Sequence, residues 1–229
     1  MKESKDMNYK EEFIEFLVQC NALKFGEFKL KSGRLAPYFI NTGMFDTGSK
    51  IKKLGTYYAR TIDAHFKKDF HGIYGPAYKG IPLCVTAACA LADMGMDIGY
   101  VFNRKEAKTY GDKSAVVGMP LSPDTRLILV DDVITSGKAI RESLEVLKGC
   151  SNPKVCGIII SVNRQEKGKT DKNALKEVAD TLGIPIFAIV TIREIIDYLH
   201  NREIEGKIVL DDQMKAKIEE YLEIYGADC

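Results

Sequence analysis

The chain has 229 residues, with 33 basic against 32 acidic side chains and a formal charge of +1, a length that suits one substantial core. So balanced a charge leaves none of the global basic footprint that nucleic-acid binders carry. The polar residues 1–10 and the short apolar run at 85–92 predict no signal peptide and no membrane span, hence a cytoplasmic protein.

Taken in order, residues 9–24 put Phe13, Phe16, Leu17 and Cys20 on one stripe and predict an amphipathic helix. Residues 25–43 read as two strand-like segments around a turn at 31–34. Such a ribbon suggests a small hood ahead of the main α/β unit, an ordinary solvated hairpin being the plainer reading. A helix over 49–66 and a strand over 70–74 lead to Gly75-Pro76-Ala77-Tyr78-Lys79-Gly80. This glycine-punctuated loop lies at a strand's carboxyl end, where open α/β sheets bind ligands, and Lys79 there can reach an anion. A helix over 81–95 and a strand over 98–102 follow. Residues 103–118 have two glycines, a basic excess and no apolar period, so they read as a long mobile loop of the functional kind.

Leu127 to Val130 have no polar break, as in a central parallel strand covered on both faces. Asp131 and Asp132 follow, then Val133-Ile134-Thr135-Ser136-Gly137-Lys138-Ala139, and Ile140, Leu144 and Leu147 mark a helix starting just after Gly137. Thr135 and Ser136 are expected to cap it. Beyond lie a strand over 156–162, a polar linker, a helix over 173–183, a strand over 184–190 and a mostly helical 191–225. This alternation argues for an α/β fold with a mainly parallel sheet flanked by helices. Neither a dinucleotide fingerprint nor a P-loop motif occurs. The six cysteines form no C-x-x-C pair and read as reduced thiols, and the three histidines stand isolated.

A helix N-terminus with free amides and small residues suits a phosphate. Two carboxylates beside a bare phosphate would repel it, so Asp131 and Asp132 must address sugar hydroxyls, a divalent cation or developing positive charge on the same ligand. A sugar phosphate meets all three conditions.

This stretch resembles the phosphoribosyl pyrophosphate (PRPP) signature of the type I phosphoribosyltransferases. Four further segments, Leu30-Lys31-Ser32-Gly33-Arg34, residues 75–82, residues 102–108 and residues 160–166, resemble the orotate phosphoribosyltransferase family, a likeness covering about residues 10–200. The resemblance implies one domain over 1–229, with residues 1–45 forming the helix and hood. It implies orotate and PRPP as substrates, Mg2+ as cofactor with no protein ligand assigned to it, and a homodimer with shared sites, with neither nucleic acid nor membrane as partner. Lys31 would approach pyrophosphate and base, and Phe39 and Ile40 would line the orotate pocket. Tyr78 and Lys79 would contact PRPP. Arg104, Lys105 and Lys108 would hold pyrophosphate, Arg104 and Lys108 coming from the neighbouring subunit. Asp131, Asp132, Val133, Ile134, Thr135, Ser136, Gly137, Lys138 and Ala139 would form the PRPP turn, with Thr135 also touching orotate. Arg164 would grip the base, whose planar acidic edge suits a guanidinium. The chemistry falls to Lys108, Asp131 and Asp132. Tyr110 stands where the family commonly has a loop histidine; it can donate a hydrogen bond to a phosphate but cannot carry positive charge. A transferase for another base and a PRPP-sensing nucleic-acid regulator are the alternatives on the same turn.

Overall fold

The computed structural model describes residues 3–30, 33–105, 115–134, 137–168 and 170–227, with side chains from Tyr9 onward. Helix α1 (Glu3–Gln19) buries Phe13, Phe16 and Leu17 as the stripe predicts. It ends earlier than expected, because Asn21 adopts a left-handed conformation (φ 55°) and the chain enters a strand at Leu23. Strands β1 (Leu23–Lys29) and β2 (Leu35–Ile40) pair antiparallel in a two-stranded sheet of their own. After a 3-10 turn at Thr42–Met44, helix α2 (Gly48–Phe66) opens on Thr47, whose hydroxyl accepts from the Lys50 N–H.

The main sheet contains β3 (Gly72–Gly75), β4 (Gly99–Asn103), β5 (Val116–Gly118), β6 (Arg126–Val130), β7 (Lys154–Asn163) and β8 (Ile186–Thr191), ordered β5-β4-β3-β6-β7-β8. Every neighbouring pair is parallel except β4 and β5. The loop expected over 103–118 is therefore corrected at its end. Val116–Gly118 form an edge strand paired antiparallel to β4, too short to show an apolar period. Residues 106–114 lie outside the described residues.

Residues 127–130 of β6 are fully buried, and their alternation divides the core. Ile128 and Val130 join the cluster formed with α1, α2 and helix α3 (Gly80–Asp93). Leu127 and Leu129 join the one formed with α4 (Lys138–Gly149) and α5 (Ala174–Leu182). Helix α6 (Ile192–Leu199) begins with a capping box in which Thr191 and Glu194 satisfy each other's backbone N–H. The mostly helical reading of 191–225 holds, with one interruption between two helices. A short hairpin of β9 (Glu203–Ile204) and β10 (Lys207–Ile208) turns through Glu205 and Gly206, both at positive φ, before α7 (Asp212–Tyr225). Among the described residues, no helix is long and apolar enough to cross a membrane, and Cys20, Cys84, Cys89, Cys150 and Cys156 are free thiols.

Candidate active site at the sheet switch point

From β3 the chain moves outward to β4 on one side, and it later returns to β3's other side as β6 before moving out through β7 to β8. Helix α3, which follows β3, packs on one face of the sheet, while α4, which follows β6, packs on the other. The connections leaving the carboxyl ends of these adjacent strands thus diverge and open a crevice, the place where such sheets bind ligands.

On the β3 side, Gly75 and Gly80 let strand and helix meet closely. A Cβ on Gly75 would overlap the Gly80 carbonyl, and one on Gly80 would lie 2.7 Å from the Pro76 ring. The Ala77 N–H donates to Asn103 Oδ1 at 2.8 Å, so β4 anchors this loop from the side. Lys79 is thereby brought to the β6 side, where its ammonium donates to Asp132 Oδ2 at 2.8 Å.

The acidic pair is held from below by its backbone. Tyr58 OH donates to the Asp131 carbonyl at 2.8 Å, and Ser161 Oγ donates to the Asp132 carbonyl at 2.6 Å. Both aspartates are only 8% exposed. Burial, and then the charge of Asp132, push the Asp131 carboxyl up to about 7. Burial acts to raise Asp132 as well, but hydrogen bonds from Lys79, the Thr42 hydroxyl and the Val133 N–H outweigh it and hold that carboxyl below its ordinary value. One carboxylate is thus paired and charged, and its neighbour is poised near neutrality. A cleft of about 400 Å3 extends from Thr42, Lys79 and Asp132 towards Phe45, Ile51 and Leu83.

Beyond the turn, Gly137 is the N-cap of α4 in a left-handed conformation (φ 66°) and gives no side-chain cap. A glycine at that position offers the first amides of the helix no side-chain acceptor of its own, which suits an anion site; the capping expected of Thr135 and Ser136 falls outside the described residues. Val133, Ile134, Lys138 and Ala139 lie in the turn and first helical residues as predicted, with Lys138 forming an i,i+4 ion pair with Glu142 at 3.7 Å. Lys31, Lys108, Tyr110, Thr135 and Ser136 lie outside the described residues.

Tyr78 is 69% exposed, and the Lys105 ammonium sits 5.8 Å from its ring centroid, bringing the β3 and β4 loops together. Arg104 instead borders a separate cleft with β5 and the end of α4, and its buried Nε has no partner within the described residues. At the end of β7, Arg164 donates from Nη2 to Glu166 Oε1 at 2.6 Å and lies over the Tyr38 ring of β2. Ile40 shares Tyr38's face of the ribbon. Phe39 is on the opposite face, stacked on Phe28 with centroids 5.5 Å apart, so its ring and Arg164 are not brought together. Sequence reasoning missed Thr42, Asn103 and Glu166. Asn103 and Glu166 stood in the quoted segments next to the cations, and Thr42 ended the ribbon, but only tertiary contact gives each a partner.

A doubly wound sheet with a phosphate turn and an acidic pair at its switch point defines a sugar-phosphate transferase, and residues 42–191 match the phosphoribosyl transferase domain family. The chain is 48% identical over 220 residues to an orotate phosphoribosyltransferase of Clostridium botulinum (strain Alaska E43 / Type E3), covering 96% of this chain and 98% of the relative. It is 47% identical over 219 residues to that of Clostridium acetobutylicum, covering 95% and 98%. The crystal structure of the Francisella tularensis orotate phosphoribosyltransferase superposes with a TM-score of 0.81 at 37% identity, covering 94% of this chain and all of that one. The chain belongs to the orotate phosphoribosyltransferase family, enzymes of pyrimidine biosynthesis.

Proposed function

We propose that the chain, acting as one domain with residues 1–45 as helix and hood, transfers the phosphoribosyl group of PRPP to orotate, giving orotidine 5′-phosphate and pyrophosphate. The observation that carries this reading is the differently titrating aspartate pair at the switch point, beside a helix whose N-cap is the left-handed Gly137. The 5-phosphate takes the amides of the turn from Thr135 to Ala139, and the ribose hydroxyls donate to Asp131 and Asp132. Lys79 exchanges its ion pair with Asp132 for the phosphates of the incoming substrate, helped by Tyr78, Lys31 and Lys105. As the bond at ribose C1 lengthens, positive charge grows on the sugar beside the carboxylates, and negative charge on pyrophosphate is met by Lys108 and Arg104. Tyr110 donates a hydrogen bond to the same leaving group. Arg164 takes the acidic edge of orotate, with the ribbon at Phe39 and Ile40 completing the pocket.

Mg2+ is proposed as the cofactor. No three His, Cys, Asp or Glu side chains cluster as a cage among the described residues, but this cation is commonly held by one or two carboxylates together with substrate phosphates, and the hard oxygens of the aspartate pair fit that donor set. When bound, it neutralises charge on the pyrophosphate oxygens.

A homodimer with shared sites is supported by the position of Arg104, which borders the cleft beside β5 and not the one that holds Asp132. Just before it, Tyr100 and Phe102 present near-parallel rings 6.4 Å apart, Tyr100 being 42% exposed, an apolar face that suits a second copy. The proposed location is the cytoplasm. The test is the loss of orotate absorbance with PRPP and Mg2+, run beside uracil and hypoxanthine. Consumption of orotate alone supports the reading, no consumption overturns it, and undiminished turnover in excess chelator removes the metal.

A further inference from the structure

Glu166 is met by its near neighbour Arg164 and by side chains from two distant parts of the chain. Its Oε1 accepts from Arg164 Nη2 at 2.6 Å, from Tyr38 OH on β2 at 2.8 Å and from Tyr221 OH on α7 at 3.1 Å. Tyr38 is fully buried and Tyr221 nearly so. Their rings meet edge to face with centroids 6.1 Å apart, and the Arg164 guanidinium carbon lies 5.2 Å from the Tyr38 centroid. The backbone follows the same pattern. Beyond α7, Gly226 bridges to Glu166, and the Ala227 N–H donates to the Gln165 carbonyl at 2.8 Å. The end of the chain is therefore fastened to the segment that carries Arg164.

A largely desolvated carboxylate with a single cation partner leaves acceptor capacity unmet, which is costly; two phenols meet part of that need here. The arrangement also fixes the arginine. Tethered at one nitrogen and laid on an aromatic face, the guanidinium has little rotational freedom left to lose when a ligand binds. Its Nε has no partner within the described residues. The span that matches the phosphoribosyl transferase domain family, residues 42–191, includes Arg164 and Glu166 but neither tyrosine. The two tyrosines that brace Glu166 thus come from outside the matched domain, as suits a device that selects the base and does not handle PRPP.

We propose that Glu166, braced by Tyr38 and Tyr221, is a positioning residue for base recognition: it fixes Arg164 so that the remaining edge of the guanidinium meets a planar anionic base. This inference rests on the orotate reading, and the wild type tests that reading first, since a wild type that leaves orotate untouched fails before any variant is compared. The variants are Glu166→Gln and Tyr221→Phe in the full chain, with KM for each substrate and kcat measured separately. Loss of a charge-assisted hydrogen bond predicts that Glu166→Gln raises the orotate KM about tenfold or more, while KM for PRPP and kcat stay within about threefold. Tyr221→Phe, which keeps the ring and loses one oxygen, shifts the orotate KM the same way by about threefold. In an Arg164→Ala background, Glu166→Gln adds no further change to the orotate KM. If both substrates' KM values rise together, if kcat alone falls, or if Glu166→Gln costs as much without Arg164 as with it, the positioning role is overturned.

Discussion

Adjacent residues of one type behave in opposite ways when their hydrogen-bond partners differ. Asp131, raised to about 7 by burial and by Asp132, keeps its proton in the folded chain at pH values where the unfolded chain has lost it. Its contribution to stability is fully present below the ordinary aspartate value near 3.9 and is lost as pH rises through about 7. Asp132, lowered through Lys79, Thr42 and the Val133 amide against its own burial, has the opposite sign: its contribution is present above the ordinary value and is lost as pH falls through its depressed one. Asp131→Asn should therefore raise the melting temperature of the ligand-free chain more at pH 8 than at pH 5; an equal change at both would deny the shift. Ribose hydroxyls donate more strongly to an ionised carboxylate, so PRPP affinity should rise between pH 6 and pH 8 more steeply in the wild type than in Asp131→Asn. Isothermal titration at the two pH values reads this directly. Asp131 costs stability when ionised, the state in which it serves binding, a conflict common at functional sites.

At the scale of elements, the junction of β3 with α3 decides where Lys79 stands. Gly75→Ala would place a methyl against the Gly80 carbonyl and 2.8 Å from Cys84 Sγ, and overpacking of this kind costs about 1–3 kcal/mol. The expected result is a lower urea midpoint with an unchanged slope, together with a raised KM for PRPP, since helix and Lys79 must shift together. A wild-type midpoint would show that the junction relaxes freely. The start of α6 offers a cleaner measurement, remote from the acidic pair. Thr191→Ala removes one half of the capping box and should cost about 1 kcal/mol, with both KM values preserved. Loss of activity there would mean that α6 does more than support β8.

For the whole molecule, shared sites make an arithmetic prediction. If the residue 104–118 segment of one chain serves the acidic pair of the other, Lys108→Ala damages the partner's site, and Asp131→Asn with Asp132→Asn damages a chain's own. Each homodimer should be nearly inactive. After free exchange of an equal mixture, half the molecules are mixed dimers, each with one whole site of two, so about a quarter of wild-type activity should return. Recovery is assayed by orotate consumption after mass spectrometry has confirmed exchange, and its absence despite exchange would rule out sharing. Tyr100→Glu, which charges the exposed ring pair beside Arg104, should shift the sedimentation profile towards monomer, while a persistent dimer would move the interface elsewhere.

The sequence by itself determined what depends on neighbours along the chain. The unbroken Leu127–Val130 run, the acidic pair after it and the glycine before α4 specify a buried strand, its end and a helix start through local periodicity and backbone preference, and each stands where it was read. Strand β5 and the β9–β10 hairpin escaped because edge pairing and two-residue strands leave no periodic trace. Only the tertiary structure decided the rest. It set the strand order that opens the crevice between β3 and β6, and the choice of Asp132 over Asp131 as the partner of Lys79. It also gathered Tyr38, Glu166 and Tyr221 around Arg164. Those contacts join residues up to 128 positions apart. A hydrogen bond between such groups has no signature in either residue's sequence surroundings, because its geometry exists only once the sheet has closed and the ribbon and the last helix have docked beside it.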